Sequence, residues 1–376
     1  MSEWKKVKLG EIADYVNDKI DIKAFDNSLY ISTDSMLKDK GGIGSPESIP
    51  DSGKVTMYQP KDILVSNIRP YFKKIWYSYR EGGCSNDVLV FRVRKEISSQ
   101  YLYYVLSEES FFEHMMAGAN GTKMPRGNKK LIPSYEINLP PLPTQHRIAT
   151  ILSRYDSLIE NYQKQIKLLE ESAQRLYKEW FIDLRFPGHE NTKIVDGEPE
   201  GWEKKTLDTF CDVFTGKRNA NQGVSNGKYK FFTCGDTPLL INSYIYDGPA
   251  IIISGNGSYT GRTTFYKGKF DLYQRTYACI MKDMQDENLI YGLFEIVKCE
   301  LTNKISGGTH GAAIPYIVMS DVTKFDFLYE ENIMQRFSSI MHNILSESLS
   351  LLNQIRHLTE ARDRLLPKLM SGEIKV

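Results

Sequence analysis

At 376 residues the chain has room for two or three domains, each able to bury its own core. A formal net charge of +1 excludes an overall basic field, so affinity for a polyanion has to come from local patches. Neither an apolar signal core nor a run of about 18 apolar residues is present. The five cysteines (Cys84, Cys211, Cys234, Cys279, Cys299) lack CxxC or ladder spacing, which predicts free thiols, no structural zinc and a soluble cytoplasmic protein.

In chain order, residues 4–16 (WKKVKLGEIADYV) alternate and then turn amphipathic, predicting an opening strand or short helix. Residues 28–93 are strand-rich and broken by turn signals such as Gly41, Pro46, Pro50, Gly53 and Gly82. Within them, residues 62–66 (DILVS) read as a short buried strand running into the polar, basic loop 67–74 (NIRPYFKK). A strand at 88–93 and a helix at 100–116 follow, then a glycine-rich bend at 118–122, Pro125 and a strand at 135–139. Pro140, Pro141 and Pro143 form a stiff lead-in to a helix, with Thr144 as its expected N-cap.

Residues 142–184 carry apolar positions in alternating steps of four and three: Ile148, Leu152, Ile159, Ile166, Leu169 and Leu176, with Tyr155, Tyr162, Ala173 and Trp180 completing the series. That 3.5-residue repeat predicts a helix packed along one seam against another helix. A polar, Pro/Gly-bearing stretch at 185–201 reads as a linker.

The second half repeats the first. Residues 202–214 match 4–16 at an offset of 198, pairing Trp202 with Trp4 and Leu207 with Leu9. Residues 250–254 (AIIIS) run into 255–263 (GNGSYTGRT), followed by a strand at 277–281, a helix at 288–301, a bend at 307–311, Pro315 and a strand at 325–329. A second long helix then fills 331–376, stopped by Ser371 and Gly372. Its seam reproduces the first at an offset of 189: Phe337, Met341, Ile344, Ser348, Leu351, Ile355, Leu358, Arg362, Leu365 and Leu369. The expected fold is α+β, with two similar mixed α/β domains at 1–141 and 202–330 and a long helix after each. Tyr155, Tyr162, Ser348 and Arg362 at seam positions lower stability and select register.

On these residues the chain resembles the specificity subunits of type I restriction-modification systems. The likeness lies in the Trp-led openings, in Asp62-Ile63-Leu64-Val65-Ser66 followed by Arg69-Pro70, and above all in Leu139-Pro140-Pro141-Leu142-Pro143-Thr144-Gln145-His146-Arg147-Ile148 feeding the seam helix. The tail Arg364-Leu365-Leu366-Pro367-Lys368-Leu369-Met370-Ser371-Gly372-Glu373-Ile374 is similar to the family's usual ending. Tyr329-Glu330-Glu331-Asn332 departs from the proline-rich lead-in. The resemblance implies two target recognition domains, each reading half of a bipartite double-stranded DNA site, and an antiparallel coiled coil with pseudo-two-fold symmetry that sets the spacer. It further implies two methylation subunits carrying S-adenosylmethionine and restriction/translocase subunits using ATP and Mg. The chain itself would hold no cofactor.

For DNA contact, arginine suits guanine O6/N7, asparagine suits adenine and lysine neutralises phosphate. The candidates in the first domain are Asn67, Arg69, Tyr71, Lys73 and Lys74, then Thr122, Lys123, Arg126, Lys129 and Lys130. In the second they are Lys217, Arg218, Asn256, Ser258, Tyr259, Arg262, Thr263 and His310. A solvated loop is the plainer reading of each. Enzyme signatures fail: Asn256 and Arg262 break the phosphate-loop pattern GxxxxGK[ST], and the six histidines form no HExxH. The alternatives are a duplicated coiled-coil scaffold with protein-binding heads, or a nuclease or methyltransferase with its own site.

Overall fold

The structure, a computed structural model, describes residues 4–94, 96–119, 121, 123–283, 287–306 and 316–376. It divides into two units, Met1–Asn161 with Gln354–Val376, and Tyr162–Asn353. Each unit therefore holds the start of one long helix and the end of the other.

In the first half the opening is both strand and helix: β1 (Lys5–Lys8), α1 (Leu9–Ile12) and β2 (Ala13–Tyr15). Then come β3 (Lys19–Asp21), β4 (Tyr30–Ile31), β5 (Lys54–Tyr58), β6 (Ile63–Ser66), β7 (Ile75–Tyr77), β8 (Gly82–Cys84) and β9 (Val88–Val93). The helices α2 (Ser99–Leu106) and α3 (Glu109–Ala117), β10 (Glu136–Leu139) and α4 (Leu142–Tyr177) complete it. The second half repeats the opening as β13 to β14 after a small hairpin. Its order is β11 (Ile194–Val195), β12 (Glu198–Pro199), β13 (Glu203–Thr206), α5 (Leu207–Phe210), β14 (Cys211–Thr215), β15 (Tyr229–Phe232) and β16 (Leu239–Ile241). There follow β17 (Tyr246–Ser254), β18 (Thr263–Leu272), β19 (Thr276–Met281), α6 (Leu289–Ser306), α7 (Met319–Thr323), β20 (Asp326–Tyr329) and α8 (Glu331–Met370).

In the first unit the sheet β2-β9-β6-β7 is buried on both faces. Ile63, Val65, Leu89 and Phe91 point into a core with α2, α3 and the helix ends, while Leu64, Val88 and Val90 meet Met36, Tyr58 and Trp76 on the other side. A second sheet, β3-β5-β8-β4, supplies Tyr58 and Cys84 to that outer core. Burial on both faces explains why β6 reads as an unbroken apolar run. In the second unit one sheet, β14-β19-β17-β18-β15-β16, does the corresponding work. Ile251, Ile253, Phe265 and Cys279 pack on the α6 side, and Ala250, Ile252, Phe270 and Ala278 form a smaller outer core.

The long helices pair antiparallel in both units. In the first, Ile148 and Leu152 of α4 share a core with Leu366, Leu369 and Met370 near the end of α8. In the second, Ala173 and Tyr177 near the end of α4 share one with Phe337 and Met341 near the start of α8. Ile159, Ile166, Leu169, Leu176, Ile344, Ile355, Leu358 and Leu365 are half-buried, and Leu351 is buried. Of the apolar positions off the seam, Leu158, Leu168, Ile340 and Leu352 are exposed, whereas Leu366 is buried.

Three expectations change. The helix expected at 100–116 is two helices, because Glu108 adopts an extended backbone (φ −70°, ψ 152°) and starts α3 afresh. Thr144 is not the N-cap: α4 begins at Leu142, and the amides of Thr144 and Gln145 already donate to the Pro141 carbonyl at 2.9 and 3.1 Å. The polar anchor is instead the buried Gln145, whose Nε2 donates to the Pro140 carbonyl (2.9 Å) and whose Oε1 accepts from Ser98 N (3.0 Å). Finally, 185–201 is no bare linker. It lies within the second unit, turns through Asp196 and Gly197 at φ 54° and 85°, and buries Phe186 against Trp202, ring centroids 4.8 Å apart.

Candidate nucleic-acid interface

Basic loops leave the end of one central strand in each unit. In the first, β6 ends at Ser66 and the chain turns through Arg69 and Lys73, both left-handed at φ 49° and 50°. Two left-handed non-glycine residues in one loop store backbone strain that the surroundings must hold. They are held by pairing: Arg69 N donates to the Pro125 carbonyl (2.8 Å) and Gly127 N to the Asn67 carbonyl (3.1 Å), with a bridge between Ile68 and Arg126. Loops 67–74 and 123–130, separate in sequence, are thereby one surface.

The side chains on that surface divide. Asn67 is buried, 5% exposed, so it frames the loop and does not present itself to a base. Lys73 is tied to Glu109 at 2.6 Å. Lys74 donates to the Thr33 carbonyl at 2.6 Å, and burial holds its ammonium below the ordinary lysine range. Lys73 and Lys74 are thus already engaged within the protein, and Asn67 is covered. Tyr71, Lys123, Lys129 and Lys130 are exposed, Arg69 is half-buried, and exposed Arg126 is oriented by Asp87 at 3.1 Å. Thr122 lies outside the described residues.

In the second unit β17 ends at Ser254, and a tight return closes when Gly261 N donates to the Ser254 carbonyl (2.8 Å) and Ser254 N to that of Arg262 (2.9 Å). Ser258 and Tyr259 are exposed and Asn256 is half-buried, bridged to Tyr316. Thr263 Oγ1 donates to the Gly261 carbonyl (3.1 Å). Arg262 lies over the Tyr259 ring (4.5 Å), donates through Nη1 to Asp236 (3.0 Å) and through Nη2 to the Gly235 carbonyl. Such a stacked and paired guanidinium is pre-oriented, so it loses little freedom on meeting an acceptor.

Lys217 is exposed, and Arg218 is drawn to the buried Asp271 (3.4 Å). The turn Tyr273 to Arg275 joins both groups: Gln274 N donates to the Arg218 carbonyl (3.0 Å) and Gly255 N to that of Arg275 (2.9 Å). His310 lies outside the described residues. Sequence reasoning missed Arg275, exposed on that turn, and the carboxylates Asp87 and Asp236 that aim the arginines. The only signal for Arg275 was its place in a polar turn between two apolar strands.

The profile of the family described as "Type I restriction modification DNA specificity domain" matches residues 1–171 and 199–340. The chain belongs to that family. Among type I specificity subunits it is similar to the MjaIX subunit of Methanocaldococcus jannaschii, 29% identical over 307 residues that cover 74% of this chain and 70% of the relative. It is 30% identical over 181 residues to the EcoDI subunit of Escherichia coli, covering 47% of this chain and 39% of that one. The crystal structure of the type I S subunit from M. genitalium shares the fold, with a TM-score of 0.60 and 16% identity over 98% of this chain and 96% of that one. The repeated match agrees with the duplicated framework of this type I specificity chain. No helix among its described residues is long and apolar enough to cross a membrane.

Proposed function

We propose that this specificity chain is the non-catalytic DNA-recognition subunit of a type I restriction-modification complex. Each unit reads one half of a bipartite site, and the paired helices set the spacer and dock two methylation subunits. S-adenosylmethionine then sits on the methylation subunits, with ATP and Mg on the restriction subunits. The observation that carries this reading is a recurring feature: in each unit an arginine on the loop surface at the end of the buried central strand is aimed by an aspartate, Arg126 by Asp87 and Arg262 by Asp236. The exposed Leu158, Leu168, Ile340 and Leu352 on the long helices supply apolar surface for the docked subunits.

Mapping methylated adenines in a host carrying the complete system tests this. Two short specified segments separated by a fixed unspecified spacer are expected. A continuous site, or methylation by the isolated chain, would contradict it. Binding should also weaken steeply with salt as phosphate contacts are lost.

A further inference from the structure

The outer face of the sheet in the second unit holds a cavity of about 680 Å³, within the range of small-molecule sites of about 300–1,000 Å³. Its wall is in part apolar and aromatic, from Phe214 of β14, Ile280 of β19, Tyr246 of β17 and the neighbouring Ile245, and in part polar, from Thr215, Gln222 and Asp271. Phe214 and Tyr246 lie 6.4 Å apart between ring centroids, and Tyr246 continues to Phe270 at 5.7 Å. At one rim stand Lys217 and Arg218. A Cβ on Gly216 would lie 1.7 Å from the Leu272 carbonyl oxygen, so this rim sits directly on the end of β18 and only glycine permits it.

Arg218 is built in. Its Nη2 donates to Ser243 Oγ (3.0 Å), which donates to Asp271 (2.7 Å), and its Nε lies 3.4 Å from the same carboxylate. Asp271 is fully buried and serves as the positioning residue, while 41% of the Arg218 side chain stays exposed, leaving N–H groups open. Lys217 is exposed and has no ion pair among the described residues. In the first unit the corresponding face is closed by the sheet β3-β5-β8-β4.

We propose that this cavity binds a nucleotide, with the base against Phe214 and Tyr246 and the phosphate on Lys217 and Arg218. Aromatic rings accept any base through its π face, and two cations lining the same cavity suit a phosphate. Two sources offer that chemistry: a free nucleotide, or a nucleotide unstacked from bound DNA.

Titration calorimetry of the full chain with adenosine and thymidine 5′-monophosphates tests the first source. Saturable binding is expected, weakened about tenfold by Lys217→Ala, the loss of one charge-assisted contact. Ile280→Trp, which fills the cavity, should abolish it. The second source is tested with duplex target carrying 2-aminopurine at successive positions. A rise in emission at one position, removed by Ile280→Trp, identifies an unstacked nucleotide. If Ile280→Trp fails to fold by circular dichroism, Lys217→Ala carries both arms. Absence of both signals with the unaltered chain, or binding indifferent to Lys217→Ala and a folded Ile280→Trp, overturns the proposal. The mononucleotide arm does not depend on how the units read DNA, so its failure and that of the proposed function are separable.

Discussion

The two units share one framework, yet they close it differently. Both open with strand, one-turn helix and strand, and both pack one face of a central sheet on helices. On the outer face the first unit adds a second sheet, whereas the described residues of the second unit form a small core and an aromatic-lined cavity. The helix seams differ in the same spirit. In the first unit Asp156 accepts from Tyr104 OH (2.6 Å) and from Arg362 Nη1 (2.7 Å). At the seam offset of 189, Asp156 and Arg362 correspond to Leu345 and Ala173, which both pack in the apolar core of the second unit. A duplicated frame can thus be held at one end by a polar lock and at the other by plain burial.

Helix length is the broadest lever on this comparison. One heptad inserted after residue 161 and another after residue 353 lengthens each helix by about 10 Å, about three base pairs of B-DNA, without changing seam register. The mapped spacer should grow by that amount. An unchanged spacer would detach it from the helices.

The lock gives the next largest effect. Arg362→Ala leaves the half-buried Asp156 without its cation and should cost about 3 kcal/mol in urea unfolding. Replacing the whole polar set, Tyr104→Phe and Asp156→Leu with Arg362→Ala, should recover most of that loss. No recovery would mean that the lock is more than a substitute for apolar packing.

Glu108 offers a smaller effect confined to the first unit. Burial pushes its carboxyl up to about 7. A raised folded-state value means that its contribution to stability is full below the ordinary carboxylate range and is lost as pH rises through 7. Glu108→Gln should therefore raise the melting temperature relative to the unaltered chain at pH 8 and change little at pH 4. A gain equal at both pH values would assign the effect to packing.

The sequence made the frame legible wherever period carried the signal. The 4-3 steps from Ile148 to Trp180, their copy from Phe337, and the run at β6 all reflect surfaces that must be dry. It did not show what depends on distant partners. Asn67 resembles a base reader until Asp87 and Gly127 close over its backbone. Lys73 resembles a free cation until Glu109 meets it. Nor did local pattern reveal the break at Glu108 or the sheet over the first unit, since α2 and α3 are both apolar and β3, β4 and β8 are each two or three residues long. At the start of α8, Glu330 does what no proline does there, accepting the Ile333 amide at 2.8 Å.

The central claim is a division of labour between two arginine-bearing surfaces, one in each unit. Competition binding of duplexes altered in one half-site at a time, with Arg126→Ala and Arg262→Ala in the assembled complex, tests it most directly. Each substitution should relax discrimination at its own half-site by about 1–3 kcal/mol and leave the other unchanged. Equal relaxation at both halves by either substitution would contradict the account.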